Sequence, residues 1–162
     1  FCDELGIFLN NQMDDFAIKP GNPNIYGLIG GEINSIQPEK RMLSSMSPTI
    51  VEKNNNFYMA LGTPGGSTII TSVIQTILNV HEFDMGMEEA VNSPRFHHQL
   101  FPDLIKIEKE KFDNIILTKL ENGGYNLEFV NPYGRVDGIL AQKCGCLEGG
   151  SDNRGNDYAI GF

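Results

Sequence analysis

Ile69, Ile70, Val73, Ile74, Ile77 and Leu78 recur three and four positions apart, the spacing of one face of an α-helix. Ser67 or Thr68 stands where an N-cap hydroxyl is favoured, so the pattern predicts a buried helix opening at Gly-Gly-Ser. Upstream, the apolar run at residues 6–9, GIFL, reads as a short buried strand that leads into the polar stretch NNQMDDF and leaves two acids at a strand end. Residues 49–61, TIVEKNNNFYMAL, read as two strands about an Asn-rich hairpin turn. A shorter helix is expected in MGMEEAVNSP, ending before Pro94, and a strand in the alternating LIKIEK at residues 104–109. FDNIILTKLENGG predicts a helix stopped by Gly123 and Gly124, and YNLEFV and GRVDGILAQ predict two strands joined by the turn NPYG. Strands, helices and strands again describe a mixed α/β layer structure, with no internal repeat.

Residues 20–48, rich in Gly, Pro, Asn and Ser, sustain neither period, and a loop of that length inside a compact domain is usually functional or disordered. The chain has 162 residues, 40% hydrophobic and 20% charged, which is ordinary globular composition and one domain by default. A net charge of -9 with no basic cluster argues against a nucleic-acid partner. No run of 18 apolar residues is present, so no membrane span is expected. The opening FCDELGIFLNN has neither a signal-peptide layout nor an initiator methionine and reads as an internal stretch. Cys2, Cys144 and Cys146 are too few for a disulfide framework.

Three stretches could carry chemistry. In GTPGGST, Gly65 and Gly66 stand at a strand-to-helix turn; either they only make a tight turn, or their N–H groups and the helix start form an oxyanion hole. The stretch is not a phosphate-binding loop, because the Gly-Lys-Ser/Thr ending is absent. Gln12 and Asp15, three apart, would share a face if NNQMDD makes one helical turn, giving an acceptor pair suited to an ammonium; the alternative for Asp14 and Asp15 is a solvated turn or an N-cap. Ser44 and Ser45 in RMLSSMSP are hydroxyl donors for a carboxylate, or ordinary loop serines. His81, His97 and His98 form no nucleophile arrangement, and neither FHH nor CGC completes a metal site, so no metal or cofactor is expected.

Together, GIFLNNQMDDF, PGNPNIYGLIGG, RMLSSMSPTIV, GTPGGSTIITSVIQTILN, EAVNSPRFHHQ and GGSDNRGNDYAIGF resemble, in order and over nearly the whole chain, the small subunit of the gamma-glutamyltransferases, or glutathione hydrolases. The resemblance implies an α+β, N-terminal-nucleophile hydrolase fold, a four-layer αββα sandwich present here only in part. It implies that Gln12 and Asp15 hold the α-amino group of a gamma-glutamyl substrate such as glutathione, and that Ser44 and Ser45 hold its α-carboxylate. Gly65 and Gly66 would form the oxyanion hole, and Tyr26 would lie on the lid loop.

One departure matters. The family's nucleophile is a threonine freed at the small subunit's N-terminus by self-cleavage. Phe1 stands close to the binding motif, and Thr49, Thr63 and Thr68 belong to other motifs. Residues 1–162 are therefore expected to be the C-terminal part of the small subunit, without the nucleophile segment and the large subunit, inactive alone and prone to associate with those missing parts or with copies of itself. The family suggests a periplasmic or extracellular setting. Two alternatives stand beside this reading: a catalytically inactive piece with a structural or binding role, and a cephalosporin-acylase-like amidase.

Overall fold

The computed structural model describes residues 2–161, which group into two compact units that meet in sequence between Ser45 and Met46. Among its described residues the first unit holds no α-helix or extended strand pair. It is folded by turns: a 3-10 turn at Gln12–Asp15, a second at Glu32–Asn34, and isolated bridges between Cys2 and Ile7, Ala17 and Ser35, and Pro23 and Ile29. Its long Gly- and Pro-rich loop is as aperiodic as the sequence predicts. The expected buried strand at residues 6–9 is not formed. Phe8 is 84% exposed and Leu9 68%, and Ile7 forms an isolated bridge with Cys2 across a turn closed at Gly6. An apolar run becomes a strand only where another backbone takes up its N–H and C=O groups.

The second unit contains two sheets. β1 (Thr49–Lys53) and β2 (Asn56–Gly62) form the predicted hairpin, turned through Asn54 and Asn55 at φ 55° and 61°, the left-handed pair that asparagine tolerates well. α1 (Thr68–His81), α2 (Met87–Asn92), β3 (Phe96–His97), β4 (Ile105–Glu108), α3 (Asn114–Asn122), β5 (Leu127–Val130), β6 (Asp137–Ala141) and β7 (Leu147–Gly150) follow. One antiparallel sheet runs β1-β2-β6-β7. The other runs β3-β4-β5, with β4 and β5 parallel and joined through α3. α3 begins where Asp113 accepts from the Ile115 N–H and ends at Gly123, close to the sequence expectation.

β5 and β6 are not the hairpin expected across NPYG. They belong to different sheets: the intervening chain leads into Val136, fully buried in the core, and β6 pairs with β2 rather than with β5. β3 and β7 escaped the sequence reading, being short and without alternation.

The core lies between α1, α2 and the four-stranded sheet: Met59, Leu61, Ile69, Val73, Val80, Met87, Ala90, Val91, Val136 and Leu140. α2 can lie on the sheet because Gly138 and Gly150 are cross-strand partners beneath it. A Cβ at Gly138 would stand 2.5 Å from Met87 Sδ, and one at Gly150 2.7 Å from the Met87 carbonyl. Glu148 of β7 also accepts the Met87 N–H at 2.7 Å, which satisfies an orphan donor at the start of α2. α1 is only half buried, contrary to expectation. Ile69, Val73 and Val80 face the core, while Ile70 (69%), Ile74 and Leu78 remain exposed on its other side. A helix apolar around most of its circumference is suited to burial on several sides. The far face of the sheet is similarly apolar, with Ile50, Ala60 and Ile139 in one cross-strand row.

Candidate functional site

In the first unit, Gln12 and Asp15 are the two ends of the 3-10 turn. Side chains three apart eclipse in that geometry, so both leave the same side of the turn, as one helical turn predicts. Neither Asp14 nor Asp15 is the N-cap; that place belongs to Asn11, whose side chain makes no capping bond. Gln12, Asp14 and Asp15 are half-buried, and Phe16 and Ala17 are buried immediately after them.

Asn34, which the sequence reading passed over, joins the two candidate clusters. Its Nδ2 donates to the Asp15 carbonyl at 2.6 Å, and its Oδ1 accepts the Leu43 N–H at 3.3 Å. The Gln12–Asp15 turn and the segment carrying Ser44 and Ser45 are thus held on one amide. Ala17 N–H donates to the Asn34 carbonyl at 2.9 Å, and Lys40 Nζ donates to the carbonyls on either side, Ile33 and Ser35. An amide side chain offers a donor and an acceptor side by side at this reach, and nothing local distinguishes Asn34 from the other asparagines of the loop. Asn34→Leu is expected to lower stability by about 1 to 2 kcal/mol, since two backbone groups lose their partner. A urea midpoint equal to that of the parent would contradict this.

Tyr26 stands at the tip of a small closed turn. Asn24 Oδ1 accepts the N–H groups of Tyr26 and Leu28 at 2.9 and 3.0 Å, and Asn24 N–H donates to the Leu28 carbonyl at 2.9 Å. Gly27 turns the chain at φ 75°.

In the second unit, Gly65 and Gly66 connect β2 to α1 with φ of 141° and 57°. Position 65 requires glycine twice over: by its φ, and because a Cβ would stand 2.5 Å from Thr68 Oγ1. Among the described residues no hydrogen bond takes up the N–H of either glycine. An oxyanion hole needs backbone donors left open in this way. The expected hydroxyl cap is absent: Ser67 makes no capping bond, and Thr68 Oγ1 donates to the Gly65 carbonyl at 2.8 Å. The hydroxyl therefore braces the turn and leaves the amide donors open. Thr63 Oγ1 accepts the Arg135 N–H at 2.9 Å, fastening the same turn to the chain entering β6.

A buried ion network, also unforeseen, lies in this unit. Arg95 Nη2 contacts Asp152 Oδ2 at 2.6 Å, with side chains 2% and 0% exposed. Arg154 donates twice to Glu108, at 2.6 Å each, and once to Asp152 at 2.9 Å. Arg95 N–H donates to Glu108 at 3.0 Å, and the guanidiniums also donate to the carbonyls of Val91, Ser93 and Tyr133. Two cations and two anions balance. Burial pushes the Asp152 carboxyl up, but the N–H groups of Val136 and Arg154 and the two guanidiniums outweigh it and hold the group below its ordinary value. Burial alone would lower Arg154, yet Glu108 and Asp152 raise it. Elsewhere His97 is buried against Thr71 and Gln99, and His98 meets Asp103 at 2.9 Å; no group of three metal-ligating side chains occurs among the described residues.

The family model for gamma-glutamyltranspeptidase matches residues 1–162. The chain belongs to the gamma-glutamyltranspeptidase family. It is 47% identical over 160 residues to the glutathione hydrolase proenzyme of Escherichia coli (strain K12), covering 98% of this chain and 27% of that protein. It is 41% identical to the glutathione hydrolase proenzyme of Pseudomonas aeruginosa, covering 96% and 28%. The chain thus spans little more than a quarter of the length of these relatives. Among solved structures, a Helicobacter pylori gamma-glutamyltranspeptidase variant superposes with TM-score 0.88 at 47% identity, over 94% of this chain and 84% of that one. The gamma-glutamyltranspeptidase of Pseudomonas nitroreducens complexed with L-DON superposes with TM-score 0.89 at 40% identity, over 99% and 84%. The α+β, N-terminal-nucleophile hydrolase fold expected from the sequence is accordingly the fold of this chain, present in part.

Proposed function

We propose that this chain is the C-terminal part of a gamma-glutamyltransferase small subunit and supplies substrate-binding and oxyanion groups to an enzyme that cleaves the gamma-glutamyl amide of glutathione and related compounds. The observation that carries this reading is the Asn34 amide, which bonds the backbone of the Gln12–Asp15 turn at Asp15 and that of the segment leading into Ser44 and Ser45 at Leu43. The α-carbon end of glutamate is a zwitterion and needs both an acceptor pair and a hydroxyl pair. Its ammonium donates to Gln12 Oε1 and the Asp15 carboxylate, and its carboxylate accepts from Ser44 and Ser45.

The attacking group is a threonine hydroxyl supplied from outside these 162 residues. As it adds to the gamma-carbonyl, negative charge develops on oxygen, and the N–H groups of Gly65 and Gly66 donate to it. Preorganised backbone donors of this kind lower such a barrier by about 3 to 4 kcal/mol. Loss of the amine leaves a gamma-glutamyl-enzyme, which water, an amino acid or a peptide then resolves. Tyr26 belongs to a lid over the bound glutamyl group. The exposed apolar faces of α1 and of the four-stranded sheet support the further reading that other segments of the complete enzyme, or a second copy, cover them.

Release of the anilide from a gamma-glutamyl anilide tests the proposal. The complete protein should turn it over, and the 162-residue chain should not exceed a heat-killed control. Turnover by the 162 residues alone would overturn the placement of the nucleophile; no turnover by the complete protein would overturn the substrate class.

A further inference from the structure

The connection between β6 and β7 carries two thiols for which gamma-glutamyl transfer has no use. Gln142 N–H donates to the Cys146 carbonyl and Gly145 N–H to the Gln142 carbonyl, both at 2.9 Å, closing a tight loop after Ala141 and before Leu147. Gly145, at φ 83°, turns the chain between the cysteines with a backbone conformation that disfavours any side chain. Cys144 and Cys146 are both free and exposed. The Cys146 N–H donates to Cys144 Sγ at 3.3 Å. The Cys146 thiol and then this backbone donor hold the Cys144 thiol below its ordinary value, while its neighbour pushes the Cys146 thiol up. One sulfur of the pair is thereby favoured as the attacking thiolate and the other is kept in reserve.

We propose that Cys144 and Cys146 form a thiol–disulfide exchange site for low-molecular-weight disulfides at the tip of the β6–β7 hairpin. The Cys144 thiolate attacks one sulfur of a disulfide RSSR; the S–S bond breaks, a Cys144–S–R bond forms, and RS⁻ leaves and takes up a proton. Cys146 loses its proton and attacks Sγ of Cys144, and the second RS⁻ leaves as the Cys144–Cys146 bond forms. Two protein thiols and one RSSR become one intrachain disulfide and two RSH, so the oxidant is the small disulfide itself. Exposure of both sulfurs admits that molecule without opening the fold. The loop also fixes the second thiol beside the first, at an effective concentration on the order of millimolar, so ring closure outruns capture by another chain at micromolar protein.

Trypsin cleaves after Lys143 and Arg154, which places both cysteines on one peptide, residues 144–154, and Cys2 on another. The intact protein, fully reduced, is incubated with glutathione disulfide, quenched by alkylation and digested. Peptide 144–154 should lose both alkylation sites together and carry an internal disulfide, faster than Cys2 reacts and to the same extent over about a tenfold dilution of protein. Cys146→Ser should stop at a mixed disulfide of glutathione on Cys144, and Cys144→Ser should react more slowly. The proposal is overturned if the wild-type peptide stays fully alkylated, if separate glutathione adducts persist on both cysteines, or if the product is a cross-linked dimer that grows with concentration. The readout is a thiol inventory, so loss of gamma-glutamyl turnover would not affect it.

Discussion

Arg154→Met is expected to destabilise the second unit by about 3 to 5 kcal/mol, the usual consequence of stripping one partner from a buried ion pair. The side chain keeps its apolar stem. What disappears is the guanidinium that donates to Glu108 twice and to Asp152 once, leaving Glu108, 0% exposed, with no counter-charge except Arg95. Val91 and Ser93 at the end of α2 lose a donor as well, which loosens the helix against the C-terminal segment. Thermal denaturation should register a fall on the order of 10 °C. Replacing Glu108 by Leu in the same chain should recover part of the loss, because an unpaired buried charge costs more than an absent one. A single-variant midpoint within about 1 °C of the parent, a shift well under 1 kcal/mol, would show that the network does not hold the unit together.

The same network gives the unit an acid limit. The folded Asp152 carboxyl sits below its unfolded value of about 3.9, so its contribution is fully present above that pH and is lost as pH falls through the folded value. Asp152→Asn should flatten this part of the stability-versus-pH curve. It should also lower stability at neutral pH, since the amide cannot accept from Arg95, Arg154 and the Val136 N–H with equal strength.

Asp15→Asn, made in the complete enzyme, keeps the shape of the Gln12–Asp15 turn and removes its charge at the position proposed to meet the substrate ammonium. Truncating one side of a desolvated, hydrogen-bonded charge pair costs about 2 to 5 kcal/mol, equivalent to roughly 30-fold to several-thousand-fold in kcat/KM. The loss should be specific to the amine. A gamma-acyl substrate lacking the α-amino group should be poor for both proteins, and the variant's deficit should largely vanish with it. Asp14 sits inside the same turn but one position round, so Asp14→Asn should cost no more than about 1 kcal/mol, as for a local turn acid. Equal losses at Asp14 and Asp15, or an Asp15 deficit indifferent to the substrate amine, would refute the ammonium-pairing role. Because Asn34 holds the Asp15 carbonyl and not its carboxylate, Asp15→Asn should leave the urea midpoint nearly unchanged, which separates it from the Asn34→Leu result.

Elements whose cause is local were readable from the sequence. The rhythm from Ile69 to Leu78 marks α1, Asn54 and Asn55 mark the hairpin, Asp113 and Gly123 mark the ends of α3, and the spacing of Gln12 and Asp15 matches the turn that carries them. The motif blocks, taken in order, identified the family. What the tertiary structure decided depends on partners far apart in the chain. β5 and β6 follow one another closely, yet parallel pairing with β4 claims one and β2 claims the other, because burying Val136 decides the path between them. Arg154 reaches Glu108 across 46 positions, and Asn34 reaches back 19 and forward 9. A charge or an amide looks the same in sequence whether it is solvated or buried; only the fold supplies the partner that makes burial tolerable. α1 shows the reverse limit: its full apolar stripe was legible, but which half of it lies on the sheet was settled by the packing of Met59, Val73 and Val136 against one another.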